Sequence, residues 1–335
     1  MELPAVFERY RGEVARELEA ALGSSPLPLY HMLRYHLGWA DAMGRPQPGG
    51  GGKAVRPTLC LAACEAVGGD SRVALPAAAA IELVHNFSLI DDDIQDASPE
   101  RRGRPSVWRL WGSAQAISAG DAMHVLGRLA LLRLEGRGVP QEKVLRAIRI
   151  LDETCLALCE GQWRDIDFEA RTEVVVADYL EMVGGKSAAL IECSLRLGAM
   201  LGTDDENLVS ALARFGRKLG MAFQVRDDEL DLWGSDPSEE IQRRKKSLPI
   251  VYALERATGE QREELRALYG KGEMGREGVG RVMRILEALD ARSYTRGMAR
   301  RYYEEALSEL EASGLAAGAQ AELRQIAAFL VERDY

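Results

Sequence analysis

Two acidic runs of the same pattern lie within apolar, helix-like stretches: DDIQD at residues 92–96 and DDELD at residues 227–231. Residues four apart share one face of an α-helix, so each run places two carboxylates one turn apart. Like charges at that spacing repel, and burial makes them less stable still, so a cation must offset them. Carboxylates suit Mg²⁺, which usually joins them to phosphate oxygens. The runs predict a magnesium–diphosphate site with the ligands Asp92, Asp93, Asp96, Asp227, Asp228 and Asp231.

A solvated helix face is the alternative interpretation of each run, because an acidic protein readily contains such strings. Two copies, each preceded by a mostly apolar stretch, disfavour it, since carboxylates beside apolar surface need a compensating partner. Asp91 extends the first run to three consecutive acids, which makes a purely structural role harder still.

The composition favours packed helices and disfavours a nucleic-acid partner. Of 335 residues, 47% are hydrophobic and only 6% aromatic, and alanine and leucine dominate. The net charge of −9 leaves no basic footprint for nucleic acid. Basic residues instead form two local clusters, at 101–104 and 243–246, each just after an acidic run. That arrangement predicts a polyanionic ligand held by metal and side chains together.

Apolar residues recur at helical spacing almost throughout, and no long segment alternates with period two. Glycine- and proline-rich breaks, among them Gly184-Gly185 and residues 45–52, divide the chain into about a dozen helices. No interdomain linker is visible. We therefore expect one all-α domain over residues 1–335, a helical bundle whose facing helices build the metal site around a central cavity.

The sequence predicts a cytoplasmic protein without a membrane span. The N-terminus has neither a basic nor an apolar leader region, and no stretch approaches about 18 uninterrupted apolar residues. The five cysteines, at positions 60, 64, 155, 159 and 193, lack zinc-type spacing. We interpret all five as reduced core residues.

In order along the chain, the polar motifs resemble those of the trans-isoprenyl diphosphate synthases, the polyprenyl synthetase family that includes farnesyl and geranylgeranyl diphosphate synthases. GKAVRP at 52–57 is similar to the family's GKxxRP segment, which implies that Lys53 and Arg56 hold isopentenyl diphosphate. A glycine-rich loop entering a helix also suits an anion on physical grounds. A Walker A loop is excluded, because Gln47 and Ala54 occupy two of its required positions.

The resemblance assigns roles to further residues. His85, on the helical face of Asp92, would be an isopentenyl diphosphate ligand, although a lone histidine is more often structural. RRGRP at 101–105 implies that Arg101 contacts the allylic diphosphate and Arg102 the isopentenyl diphosphate. Gly120-Asp121 and Gln162 would be structural or supporting. The remaining residues implied to act in catalysis or substrate binding are Lys186, Ser187, Gln224 and Lys245.

Two positions depart from the family pattern. Asp91 stands where histidine is common, so the first cluster carries an extra carboxylate. The loop PSEE at 237–240 is shortened and lacks a GK whose lysine contacts the allylic diphosphate in the family. Arg243, Arg244 and Lys246 are the basic neighbours expected to compensate.

The resemblance implies an isoprenoid-synthase-type helical bundle, a single polyprenyl synthetase domain, Mg²⁺ dependence and a homodimer. Its activity would be condensation of an allylic diphosphate with isopentenyl diphosphate. A terpene cyclase of the same superfamily is one alternative, but it needs no second diphosphate site. A non-catalytic prenyltransferase subunit is another, and the two intact acidic runs disfavour it.

The residues just before the first acidic run bear on product length. In the family an aromatic residue five positions before the first aspartate is typical of short products, and Phe87 stands there, beside the small Ser88. This predicts geranylgeranyl diphosphate as product, with farnesyl or longer chains as alternatives. Helical spacing alone favours Ser88 as the pocket floor, since it lies one turn from Asp92.

Overall fold

The computed structural model describes residues 4–47, 52–171, 173–234, 237–270 and 274–332, with only the backbone of Ser238 and Glu239. The predicted leader-free N-terminus at 1–3 and the glycine loop at 48–51 lie outside these residues. Parts of the predicted breaks at 234–237 and 270–275 also do.

Helices dominate the described chain, as predicted. The first half contains α1 Ala5–Leu22, α2 Pro28–His36, α3 Val55–Ala66, α4 Ser71–Gln95, α5 Val107–Trp111, α6 Ser113–Leu132, a 3-10 turn Glu135–Arg137 and α7 Gln141–Ala170. The second half contains α8 Val176–Val183, a π-helix Gly184–Ala188, α9 Ala189–Gly202, α10 Glu206–Trp233, α11 Ser238–Gln242, α12 Leu248–Arg256, α13 Gly259–Tyr269, α14 Arg276–Ala288, α15 Ala291–Ala312 and α16 Ala317–Val331.

The basic turn after the first acidic run forms the one sheet in the described residues. Strands β1 Glu100–Arg101 and β2 Arg104–Pro105 pair antiparallel, with Arg101 opposite Arg104. Arg102 and Gly103 make the turn, both with positive φ, at 54° and 70°. Glycine adopts that conformation readily, whereas arginine is strained in it.

Small residues allow the central helices to pack closely. Helix α4 lies along α6 and α3, α3 along α9, and α10 between α9 and α15. The α4 stretch Ala77–Ala80 is fully buried, and Gly127 of α6 packs on the Ala80 carbonyl. Because these side chains are short, the helix backbones come near one another, and the long helices α4, α7 and α10 converge on one region.

Two hydrophobic cores are present. The main core takes residues from α1 to α10 and from α15 and α16. A second cluster, here called the small core, joins the C-terminal end of α10 at Leu232 to residues of α11–α14, such as Ile241, Ile250 and Val282. The second acidic run lies immediately before this junction.

Two sequence interpretations need correction. The predicted break at Gly184-Gly185 is a π-helical turn that continues α8 into α9, so the glycines give close packing and not a chain break. Cys159 is exposed, although the other four cysteines are buried, and all five are free thiols.

Helix α4 is long and apolar enough to cross a membrane by length and composition, but 78% of its apolar stretch is buried inside the protein.

Candidate active site

The first acidic run occupies the C-terminal end of α4. Asp92 and Asp93 lie in its last turn and Asp96 is the C-cap residue. Asp92 and Asp96 remain partly exposed on one face, whereas Asp93 is only 1% exposed. Burial, followed by the charge of Asp92, raises the pKa of Asp96. The site therefore holds carboxylates in a setting that favours a bound cation.

Asp93 turns towards the hairpin. Arg101 Nε donates to Asp93 Oδ1 at 2.7 Å, and its Nη2 lies 3.4 Å from Asp92 Oδ2. The second oxygen of Asp93 is buried without a partner in the described residues. Burial raises the pKa of Asp93 to about 6, against the opposing effect of Arg101. Asp93 thus fixes Arg101 beside the acidic face.

The second acidic run lies near the C-terminal end of α10. Asp227 is partly exposed and Asp231 exposed, while Asp228 is buried. The Tyr179 hydroxyl and the Leu248 amide both donate to Asp228 Oδ2 at 2.6 Å. Burial still raises the pKa of Asp228 to about 6. In both runs, therefore, the second aspartate is buried against protein donors. The first and third aspartates of each run share a more exposed helix face.

The π-helix carries Lys186 and Ser187 to the acidic face. Lys186 Nζ bonds Asp165 of α7 and lies 3.3 Å from Asp92 Oδ1. Burial alone would lower the pKa of Lys186, but Asp165 and Asp92 raise it, so the ammonium stays charged. Ser187 Oγ donates to Gln224 Oε1 at 2.7 Å, and Gln224 Nε2 donates to Asp228 Oδ1 at 3.0 Å.

Lys245 contacts the first acidic run and lines a cavity with aspartates of the second. Its Nζ lies 3.7 Å from Asp96 and 3.7 Å from Glu240, which raise its pKa against the lowering effect of burial. A cavity of about 90 Å³ lies beneath it. The lining includes Asp165, Lys186, Ser187, Gln224, Asp231 and Lys245. The structure therefore brings together the predicted catalytic residues and both acidic helices.

The predicted isopentenyl diphosphate residues lie beside this region. Arg56 Nη1 is 3.3 Å from His85 Nε2. Burial, with the charges of Arg56 and Arg102, lowers the pKa of His85, which favours the neutral imidazole. The guanidinium of Arg102, in the hairpin turn, lies near Gly52. Lys53 is exposed, and its ammonium lies 5.2 Å from the ring centroid of Phe329 in α16.

Phe87 and Ser88 occupy different surroundings. Phe87 packs against His124 of α6, with ring centroids 4.9 Å apart and planes at 33°. Ser88 Oγ donates to the His85 carbonyl at 2.8 Å and so stays on its own helix. Of the two, Phe87 is the residue whose side chain contacts the facing helix α6. His124 Nε2 is buried without a partner in the described part of the chain.

The basic neighbours of the shortened loop also differ from one another. Arg243 Nη1 donates at 2.9 Å to the Oγ of Ser98, which lies in the loop after the first acidic run. Lys246 is 2% exposed and lies over the Tyr269 ring. Arg244 Nε donates to the Leu268 carbonyl. Arg244 is thus held at the small core, whereas Lys246 also lines the cavity beneath Lys245. Compensation by these residues stays a prediction, and Arg243 is the one bonded to the loop after the first acidic run.

Sequence reasoning missed several residues that the fold brings to the site. Tyr179 fixes Asp228, His124 backs Phe87, and Glu82 lies behind Arg56 and Arg102. None belongs to a motif with a chemical pattern of its own. Only a prediction of which helices face each other could have selected them.

The donor chemistry fits Mg²⁺. Oxygen ligands from Asp92, Asp96, Asp227 and Asp231 are the hard donors that Mg²⁺ prefers. Among the described residues no three acidic, histidine or cysteine side chains already converge as a metal cluster. Mg²⁺ commonly binds through one or two carboxylates together with water and substrate phosphates. The arrangement suits ions whose coordination is completed by a diphosphate.

Comparison with known proteins gives the class of this fold and site. The family model of polyprenyl synthetases matches residues 39–287. A geranylgeranyl diphosphate synthase of Mycobacterium tuberculosis is 44% identical over 272 residues, 79% of this chain and 76% of the relative. A (2E,6E)-farnesyl diphosphate synthase of Mycobacterium bovis is 36% identical over 90% of this chain and 86% of its own length.

A solved structure extends the comparison to nearly the whole chain. The crystal structure of a polyprenyl synthetase from Streptomyces coelicolor superposes with a TM-score of 0.90 at 36% identity, covering 98% of this chain and all of the other. The chain belongs to the polyprenyl synthetase family. Both the expected family and the expected all-α fold are thereby confirmed.

Proposed function

We propose that this prenyltransferase condenses an allylic diphosphate with isopentenyl diphosphate and releases geranylgeranyl diphosphate as its main product. One observation carries the proposal: Lys186 and Lys245 contact the carboxylates at the α4 end and line one cavity with Asp228 and Asp231 of the α10 end. A second basic group, Arg56 with Arg102 and His85, lies to one side. Two diphosphates can therefore be held at once.

The residues divide the work of the reaction. Arg101, Lys186 and Lys245 supply fixed positive charge where the allylic diphosphate leaves, and such preorganised charge is often the largest catalytic contribution. Lys53, Arg56, His85 and Arg102 hold isopentenyl diphosphate. Ser187 and Gln224, linked to Asp228, border the reacting carbons. Holding both substrates in place and excluding water protects the allylic cation from quenching.

Asp92, Asp96, Asp227 and Asp231 are the proposed Mg²⁺ ligands, with Asp93 and Asp228 as residues that orient Arg101 and the α10 end. Bound Mg²⁺ would act as a Lewis acid that neutralises the departing pyrophosphate. This assignment is narrower than six equivalent ligands, because Asp93 and Asp228 are buried against protein donors, whereas the other four aspartates are at least partly exposed.

Product length is proposed to be set where Phe87 meets His124. Each additional CH2 of product buried is worth about 0.8 kcal/mol, so aromatic rings across the path can stop growth sharply. The relatives named geranylgeranyl and farnesyl diphosphate synthases support a short product.

Product analysis after incubation with isopentenyl diphosphate, Mg²⁺ and each allylic primer in turn tests the proposal. A twenty-carbon diphosphate is the expected result. Consumption of a prenyl diphosphate without isopentenyl diphosphate, giving a hydrocarbon, would instead identify a cyclase. No turnover with any primer would leave the non-catalytic subunit as the better interpretation.

A homodimer is proposed through α6 and α7. Ile117, Val125 and Leu129 are each more than half exposed along α6, and Leu156 and Trp163 are exposed along α7. Apolar side chains repeated along neighbouring helices mark an interaction surface, and a second copy would cover it by twofold symmetry. Light scattering should give a dimer, which Trp163→Glu should dissociate and Leu27→Glu, exposed elsewhere, should not.

We further propose a cytoplasmic location and one polyprenyl synthetase domain over residues 1–335. Five free thiols suit a reducing compartment. The family match at 39–287 includes parts of both the main core and the small core, which supports treating them as one domain.

A further inference from the structure

Glu82 is a buried carboxylate behind the isopentenyl diphosphate residues. It lies on α4, one turn before His85 and Asn86, and is 7% exposed. Asn86 Nδ2 donates to Glu82 Oε1 at 3.2 Å and to the Glu82 carbonyl at 2.8 Å. Glutamate is almost never buried without a charged partner, so its surroundings must supply positive charge.

Two arginines supply that charge. Glu82 and Arg102 line a common cavity of about 110 Å³, together with Gly52, Ala54 and Asn86. Burial lowers the pKa of Arg56, and Glu82 is the carboxylate that opposes this shift. Burial raises the pKa of Glu82, which Arg56 and then Arg102 oppose. The three charges therefore act on one another.

Arg56 has little else to hold it. Its Nε is buried without a hydrogen-bond partner in the described residues, and its Nη1 contacts the neutral-favouring His85 at 3.3 Å. Arg102 stands in the hairpin turn with a strained positive φ. Two neighbouring guanidinium groups repel, and Arg56, whose Nε is buried, needs a nearby negative charge to keep its place.

We propose that Glu82 is a positioning residue of the isopentenyl diphosphate site, whose buried carboxylate balances Arg56 and Arg102 and keeps both guanidinium groups in place for the diphosphate. This inference rests on the proposed function. Glu82 acts through the arginines and does not touch the substrate, because a carboxylate would repel it.

The direction of the effect distinguishes this role from simple repulsion. If Glu82 only opposed the anionic substrate, its neutralisation would tighten binding. If it positions the arginines, neutralisation weakens binding of isopentenyl diphosphate and leaves the allylic diphosphate alone, since Arg101, Lys186 and Lys245 hold the latter.

Steady-state kinetics of Glu82→Gln, which keeps the side-chain size, provide the test. The KM for isopentenyl diphosphate should rise about tenfold or more, the loss typical when a buried charged group is left without its partner, with the allylic KM and kcat nearly unchanged. Glu82→Asp, which keeps the charge on a shorter stem, should recover most of the affinity. A space-filling role predicts the opposite order of the two variants.

Glu17→Gln is the matched control, since Glu17 is also buried and paired with two arginines, Arg133 and Arg137, away from the site. It should leave both KM values unchanged. An unchanged or lower isopentenyl KM in Glu82→Gln, or an equal rise in Glu17→Gln, overturns the inference. Wild-type enzyme inactive with every primer contradicts the proposed function instead, and titration calorimetry with isopentenyl diphosphate then compares the same variants.

Discussion

Gly161 of α7 lies directly against the backbone of Lys186. A Cβ at Gly161 would overlap the Lys186 nitrogen, and a Cβ at Gly185 would lie 2.6 Å from the Ala157 carbonyl. Backbone meets backbone at this contact, so no side chain can move aside. The contact sets how far the Lys186 ammonium reaches towards Asp92.

We therefore expect Gly161→Ala to displace the π-helix and to lower kcat at least about tenfold, because small misplacements of catalytic groups are costly. The purified variant should be compared with wild type in steady-state kinetics and thermal unfolding. Gly297→Ala is the control, since nothing lies within 4 Å of its added Cβ; it should keep full activity. Equal activity in Gly161→Ala would show that Lys186 needs no such placement.

Metal dependence follows from the facing acidic helices. EDTA should abolish turnover, and Asp92→Ala or Asp227→Ala should reduce kcat by about two or more orders of magnitude, since the metal stabilises the charge on the leaving group. Asp204→Asn, an exposed aspartate paired with Lys143, should behave as wild type. Full activity of a metal-free sample would contradict the mechanism.

Arg243 should support the allylic diphosphate in place of the missing lysine. Its bond to Ser98 holds it beside the loop after the first acidic run, so Arg243→Ala should raise the allylic KM several-fold and leave the isopentenyl KM unchanged. Arg109→Ala, at an exposed position on α5, is the control. Identical kinetics in Arg243→Ala and wild type would remove Arg243 from the site.

The ring contact between Phe87 and His124 should limit product length. Phe87→Ala is expected to shift the main product to longer chains, and His124→Ala to do so in part, because each removes one ring from the pair. Chromatography of the dephosphorylated products measures the shift. Ser88→Ala should leave the spectrum unchanged; a longer product there, with none from Phe87→Ala, would place the floor at Ser88.

Lys246 should make the free energy of unfolding depend on pH in the alkaline range. Burial, followed by the charge of Arg244, lowers its pKa to about 8 from 10.5 in the folded protein. Between those values the unfolded chain binds more protons, so the free energy of unfolding contributed by Lys246 rises with pH. Urea denaturation at both ends of this range should show a smaller rise in Lys246→Met than in wild type. An equal rise in Lys246→Met and in wild type would mean that Lys246 is not buried.

Helical periodicity was sufficient to predict the class of fold, because α4, α7 and α10 have long amphipathic or apolar patterns. It failed at Gly184-Gly185, where a pair of glycines reads as a break. The π-helix there depends on contacts with Gly161, 23 or more residues earlier in the chain, and local patterns contain no information about that pairing.

The motifs selected most of the residues that the fold brings together at the candidate site, because their spacing places aspartates, lysines and arginines on helix ends and turns. Asp93 and Asp228 differ from the other aspartates of their runs because they bind Arg101 and Tyr179, which lie on other elements. Burial of Lys246 depends on Tyr269 of α13. Such tertiary partners were not predictable from the sequence alone.

The position of the small core has a thermodynamic consequence. The Leu248 amide at the start of α12 donates to Asp228, and Leu232 at the end of α10 packs into the small core. Ligands that fix the α10 end therefore also hold α12 in register. Substrate occupancy should slow amide hydrogen exchange in α12 more than in the distant α1, so the small core reports on the bound state of a site it does not contain.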